Sequence, residues 1–159
     1  MSPVFGLWRM DPEQIHLVRR TFSLVERQKQ VAALVFYRRL FSLDPTLRPM
    51  FKTDIEQQAV KLMEMLGVAV SMLEQPDALG AELEKLGARH VGYGVQEQHY
   101  ATVGSALIGM MGDTLGDGFD KASHSAWVAL FGFVRDSMLR GAARVPITTA
   151  AGGTAAGGR

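Results

Sequence analysis

The chain has 159 residues, 47% of them hydrophobic, and a formal net charge of +1, which suits one globular domain large enough to enclose a core. So neutral a balance gives no electrostatic case for nucleic acid or an anionic membrane surface, and no apolar run is long enough to span a bilayer. With no cysteine, disulfides, thiolate zinc sites and cysteine nucleophiles are excluded together.

The opening MSPVFGLWRM has the wrong charge order for a secretory signal, so residues 1–10 read as an N-terminal extension and the expected location is cytoplasmic. Asp11-Pro12-Glu13-Gln14 supplies an N-cap, a proline at the first helical position and a capping-box acceptor. Ile15, Val18, Phe22 and Val25 then recur with helical period, and His16 beside them reads as a surface residue. A second helix is predicted across Val31–Phe41, with Leu34, Tyr37 and Phe41 on one side and Arg38 and Arg39 toward water. Asp44-Pro45 repeats the cap-plus-proline start for a short turn of helix that Pro49 limits to about Phe51. Asp54 caps a long segment reaching about Glu74, with Gln58, Leu62, Met65, Leu66 and Ala69 on one face.

Gln75-Pro76 breaks the chain and Asp77 begins the next helix. There Leu79, Leu83, Leu86 and His90 fall at i, i+4, i+7 and i+11, a single stripe. His90 occupies the last turn, before Gly92 and Gly94. Two readings are open for it: a core histidine satisfied by a backbone carbonyl, or a metal ligand whose second nitrogen binds a hydrogen-bond partner. A further helix is expected from about Gln96 to Gly112, carrying Tyr100, Val103, Leu107 and Met111 on its apolar side. Residues 112–118 read as a loop. The last helix, about Phe119 to Ala142, carries Trp127, Phe131, Val134 and Met138 inward. His99 and His124 read as surface residues. One domain is expected over 11–145, followed by a flexible tail over 146–159 that becomes Gly/Ala-rich from Thr148.

Taken singly, Tyr37 fits a half-buried tyrosine and Gln58 a solvated first-turn residue. Together with their neighbours they match a known constellation. The segments VFYRRLFSLDPTLRPMF (35–51), EQQAVKLMEML (56–66) and ARHVGYGVQEQHYATVGSAL (88–107) resemble the globin family, most closely the bacterial single-domain globins near flavohaemoglobin and Vitreoscilla-type haemoglobin. Spacing agrees as well: Tyr37 and Phe51 lie 14 apart, Gln58 and His90 32 apart, His90 and Tyr100 10 apart.

The resemblance implies an all-α globin fold, a three-over-three helical sandwich enclosing haem b (iron protoporphyrin IX), with a short or absent fourth helix. It makes His90 the axial iron ligand, Phe51 the aromatic wedged against haem, and Tyr37 and Gln58 the distal hydrogen-bond donors. Leu62 becomes the apolar distal wall, and Leu86, Val95, Tyr100 and Val103 line the proximal side. Lys61 and Arg89 are propionate partners or ordinary solvated charges. Gln58 is a poor iron ligand, which argues against a six-coordinate resting state, although Tyr37 is an alternative ligand for ferric iron.

Three departures bear on function. No carboxylate follows Asp136, whereas flavohaemoglobins place a glutamate near the position of Arg144 that hydrogen-bonds toward the proximal histidine. The connection from Phe51 to Gln58 is shorter than in those proteins, and no flavin reductase domain is expected within these 159 residues. A peroxidase-like role is therefore disfavoured. The leading expectation is reversible binding of dioxygen, with carbon monoxide and nitric oxide as further gas ligands. Nitric oxide dioxygenation with a separate reductase comes second. A haem-based gas or redox sensor, or a haemless interaction module of the same fold, comes third.

Overall fold

A computed structural model describes residues 8–51 and 54–146. Among them are six α-helices and two short 3-10 turns: α1 (Pro12–Glu26), α2 (Lys29–Leu43), a turn at Pro45–Met50, α3 (Ile55–Ser71), α4 (Pro76–Gly92), α5 (Glu97–Leu115), a turn at Gly116–Gly118, and α6 (Lys121–Ala143). Capping explains most of the starts. The Asp11 carboxylate accepts from Gln14 N–H at 2.8 Å while the Gln14 side chain accepts from Asp11 N–H at 3.0 Å, the reciprocal box. Asp44, Asp54 and Asp120 accept backbone N–H groups in the same way at the starts of the first turn, α3 and α6. Among the described residues, no α-helix lies between the Pro45–Met50 turn and α3, and no helix is long and apolar enough to cross a membrane.

The helices form a three-over-three sandwich in which α4 packs on α6, α2 on α5 and α3, and α1 on α6. The tightest crossing is that of α4 on α6. A Cβ at Gly87 would overlap the Met138 carbonyl and one at Gly141 would overlap the Glu84 carbonyl, so the two backbones touch. In contrast, α3 and α4 make no extended contact with each other; each packs on other helices, and their facing apolar residues stay half-buried.

Several expectations about faces need correction. Leu34 is 52% exposed rather than inward, because the stripe that α2 buries runs through Ala32, Ala33, Phe36, Tyr37 and Leu40. The two alanines let neighbouring helices approach, which rotates the contact away from Leu34. Met65 is 40% exposed, since the packed stripe of α3 is Ala59, Met63 and Val70. Arg39 does not simply face water: its guanidinium forks onto Asp113 at 2.7 and 2.9 Å, tying α2 to α5. The expected loop at 112–118 is helical to Leu115. Residues 147–159 of the expected tail lie outside the described residues. Trp8, within the expected extension, stacks on Phe133 with ring centroids 4.0 Å apart.

One buried polar contact ties α1 to α6. Trp127 Nε1 donates to Thr21 Oγ at 2.7 Å, and that hydroxyl donates to the Leu17 carbonyl at 2.7 Å. Both side chains are essentially inaccessible. Thr21→Val keeps the shape but leaves the indole N–H without an acceptor, so a loss of about 1–3 kcal/mol is expected. Urea denaturation checks it: an unchanged midpoint would mean the indole finds another acceptor.

Candidate functional site

The stripe read from the sequence opens gradually toward its C-terminal end. Leu79 and Leu83 are buried at 2% and 6%, whereas Leu86 and His90 are half-buried on the side of α4 that leaves the core. His90 Nδ1 lies 2.8 Å from the Leu86 carbonyl, one turn back. A carbonyl only accepts, so Nδ1 carries the proton and Nε2 keeps its lone pair. Burial lowers the imidazole pKa; the bond to Leu86 opposes this and the charge of Arg89 adds to it. A neutral imidazole with a fixed tautomer follows, the state in which histidine binds a metal. The carbonyl-bonded reading and the ligand reading are thus compatible, because they use different nitrogens.

The end of α4 is tied to the same residue. Tyr93 and Val95 N–H both donate to the His90 carbonyl, at 3.0 and 3.2 Å, around a turn that needs Gly94 at φ +84°. The edge of Tyr93 lies 5.5 Å, centroid to centroid, from the imidazole. His99 closes the next capping box, its Nδ1 accepting from Gln96 N–H at 2.9 Å, which occupies it structurally.

On α2, Tyr37 is 5% exposed and sits in an aromatic nest. Phe36, Phe41 and Phe51 have ring centroids 4.9, 5.9 and 5.4 Å from its own. The Pro45–Met50 turn brings Phe51 back against α2, and Asp44 holds that turn. Burial pushes the Tyr37 hydroxyl up to about 12, so at neutral pH it is a donor, and among the described residues nothing accepts its proton. Gln58 is half-buried in the first turn of α3, and Leu62 one turn later is half-buried on the same side.

The remaining expected site residues divide. Leu86, Val95 and Val103 are half-buried; Tyr100 is buried, with its hydroxyl raised by that burial. Lys61 and Arg89 are exposed and make no ion pair among the described residues. Phe41 was not among the candidates, yet it contacts both Tyr37 and Phe51 and has the Arg48 guanidinium 5.3 Å above its ring. Its signal was present: it lies one helical turn beyond Tyr37. Two surface clefts, of about 410 and 340 Å³, lie elsewhere, one around Arg9 and His16 and the other around Leu34 and Val60. Neither contains a site residue named above.

The donor set fits an iron porphyrin. No group of three or more His, Asp or Glu side chains among the described residues is arranged to hold a metal ion. One imidazole is too few to retain a bare ion, but it suffices for a metal that brings its own equatorial ligands. The half-buried apolar rows on α3 and α4 suit a flat apolar macrocycle between them.

Comparison with known proteins bears on the family and the fold. The Globin family profile matches residues 34–138. The chain is 28% identical over 142 residues to neuroglobin of Danio rerio, covering 80% of this chain and 89% of that protein. It is 29% identical to a flavohemoprotein of Deinococcus radiodurans and 26% identical to one of Vibrio cholerae, covering 82% and 77% of this chain. It spans only about a third of each flavohemoprotein, 33% and 32%. These likenesses are comparable in strength, so they do not single out a bacterial branch. A hexacoordinated heme protein from an anhydrobiotic tardigrade shares the fold, with a TM-score of 0.77 at 16% identity, covering 91% of this chain and all of that one.

Proposed function

Because the chain belongs to the globin family, we propose that it holds haem b between α3 and α4 through His90 and reversibly binds dioxygen. The observation that carries this is the His90 tautomer: Nδ1 is spent on the Leu86 carbonyl, which leaves Nε2 as the basic nitrogen. Ferrous haem, when bound, supplies an open coordination position for a diatomic gas.

The residues divide the remaining work. Tyr37, kept protonated by burial, would donate a hydrogen bond to a diatomic ligand of the bound haem, with Gln58 as the second donor. Leu62 limits water on that side. Phe51 wedges the macrocycle from the turn, and Leu86, Val95, Tyr100 and Val103 line the proximal wall. Lys61 and Arg89, free to swing at the surface, serve the propionates. The Tyr37–Gln58 pair supports kinship with the bacterial single-domain globins, and a cytoplasmic setting is part of the same proposal.

A second reading, nitric oxide dioxygenation with electrons from a separate reductase, is favoured by the similarity to the globin portion of flavohemoproteins. Hydrogen bonding by His90 to a backbone carbonyl, with no carboxylate on its Nδ1, argues for binding rather than strong activation of the gas.

Titrating the purified chain with haemin and recording ferric, ferrous, oxygenated and carbonylated spectra tests the proposal. Stoichiometric uptake and a Soret band that shifts reversibly with oxygen are expected. A chain that stays colourless, or whose band ignores oxygen, would rule it out. Nitrate formed per nitric oxide consumed, with a reductase present, separates the two readings.

A further inference from the structure

We propose that Glu84 is a positioning residue for His90: its buried carboxylate, gripped by Arg140 of α6 and by Arg144, the residue that caps α6, sets the register in which α4 presents the imidazole to haem iron. The inference rests on the haem reading above. Glu84 lies on α4 one residue after Leu83, with its side chain only 10% exposed. A carboxylate so buried needs opposite charge and hydrogen bonds. Both come from the C-terminal end of α6 and its cap. Arg140 Nε is 3.6 Å from Oε2, Arg144 Nη1 donates to Oε1, and Arg140 Nη2 also donates to Ser137 Oγ at 3.2 Å.

This ion cluster sits at the glycine crossing. Gly87 against the Met138 carbonyl and Gly141 against the Glu84 carbonyl bring the helices together backbone to backbone. Close packing of that kind holds the helices near each other, but smooth glycine surfaces lack the interdigitating side chains that resist sliding or rotation. A buried carboxylate held from two sides is directional and supplies that resistance. Glu84 is also two residues before Leu86, whose carbonyl fixes the His90 ring. A slip at Glu84 therefore travels through little more than one turn of rigid helix to the imidazole. In the family resemblance the last helix offers a carboxylate toward the proximal histidine; here it offers cations to a carboxylate on the histidine's own helix.

Two variants test this in the haem-loaded protein. Glu84→Gln removes the charge at the centre of the cluster. Arg144→Gln removes one clamp from a side chain that is 69% exposed, where unfolding is not expected. The readouts are the Fe–His stretching band of the ferrous protein by resonance Raman, carbon monoxide affinity, and the melting temperature of each variant. Both variants should move the Fe–His band in the same direction and change affinity by about three-fold or more, with Arg144→Lys restoring the wild-type band. Lower melting temperatures with an unmoved band and unchanged affinity would overturn the proposal, since Glu84 would then only stabilise the crossing. A wild-type protein that takes up no haem, or a His90→Ala variant that holds it with an unchanged spectrum, would refute the haem reading itself independently of the Glu84 and Arg144 variants.

Discussion

Alanine at position 90 is expected to cost the chain its hold on haem, lowering affinity by about 100-fold or more, since losing even an outer-shell partner of a metal ligand costs about 10–100-fold. The fold should survive. His90 is half-buried in the last turn of α4, and among the described residues its side chain makes one hydrogen bond, to the Leu86 carbonyl. Its backbone carbonyl, which anchors Tyr93 and Val95, is unaffected by the substitution. Helical circular dichroism should therefore stay near wild type while haemin transfers quickly to a scavenger protein. His90→Gly with added imidazole is the sharper form, because the free base can enter the space and restore the spectrum. Undiminished five-coordinate haem in the alanine variant would mean that some other side chain holds the iron.

The second large effect concerns the proposed distal pair. Tyr37→Phe and Gln58→Leu should each speed oxygen dissociation by about ten-fold or more, because a hydrogen bond to a partly charged acceptor contributes about 1.5–3 kcal/mol, roughly one to two decades. Tyr37→Phe isolates the hydroxyl cleanly, since the ring keeps its contacts with Phe36, Phe41 and Phe51. The hydroxyl has no competing acceptor among the described residues and remains protonated until well above neutral pH. Combining the two substitutions is informative. If both donors reach the same ligand atom, their effects should fall short of additive. Stopped-flow off-rates indistinguishable from wild type would show that neither group touches the gas.

Much of the buried face of α4 was legible from residue spacing, because a helix converts periodicity directly into a face. Leu79, Leu83, Leu86 and His90 lie where a 3.6-residue period puts them, and the graded loss of burial along that stripe is where the core ends. Caps at Asp11, Asp44 and Asp54 were equally readable, since each is a local bond between near neighbours. What escaped were pairings between distant segments. Nothing near Glu84 announces that its partners are Arg140 and Arg144, and nothing near Arg39 announces Asp113. A charged residue on a predicted helix reads as solvated unless its partner is known. The misplacement of Leu34 has the same origin, because the choice between Ala33 and Leu34 as the contact is made by the helix that crosses there.

The crossing of α4 on α6 also bears on how the polypeptide is made. Its two contacts join residues about fifty positions apart, and a ribosome adds residues from the N-terminus at about 5–20 per second. While the nascent segment carrying His90 waits for its partner helix to leave the exit tunnel, it has no surface against which to settle. The face of α4 that carries His90 is thus among the last parts of the molecule to gain its support, after synthesis has passed Gly141.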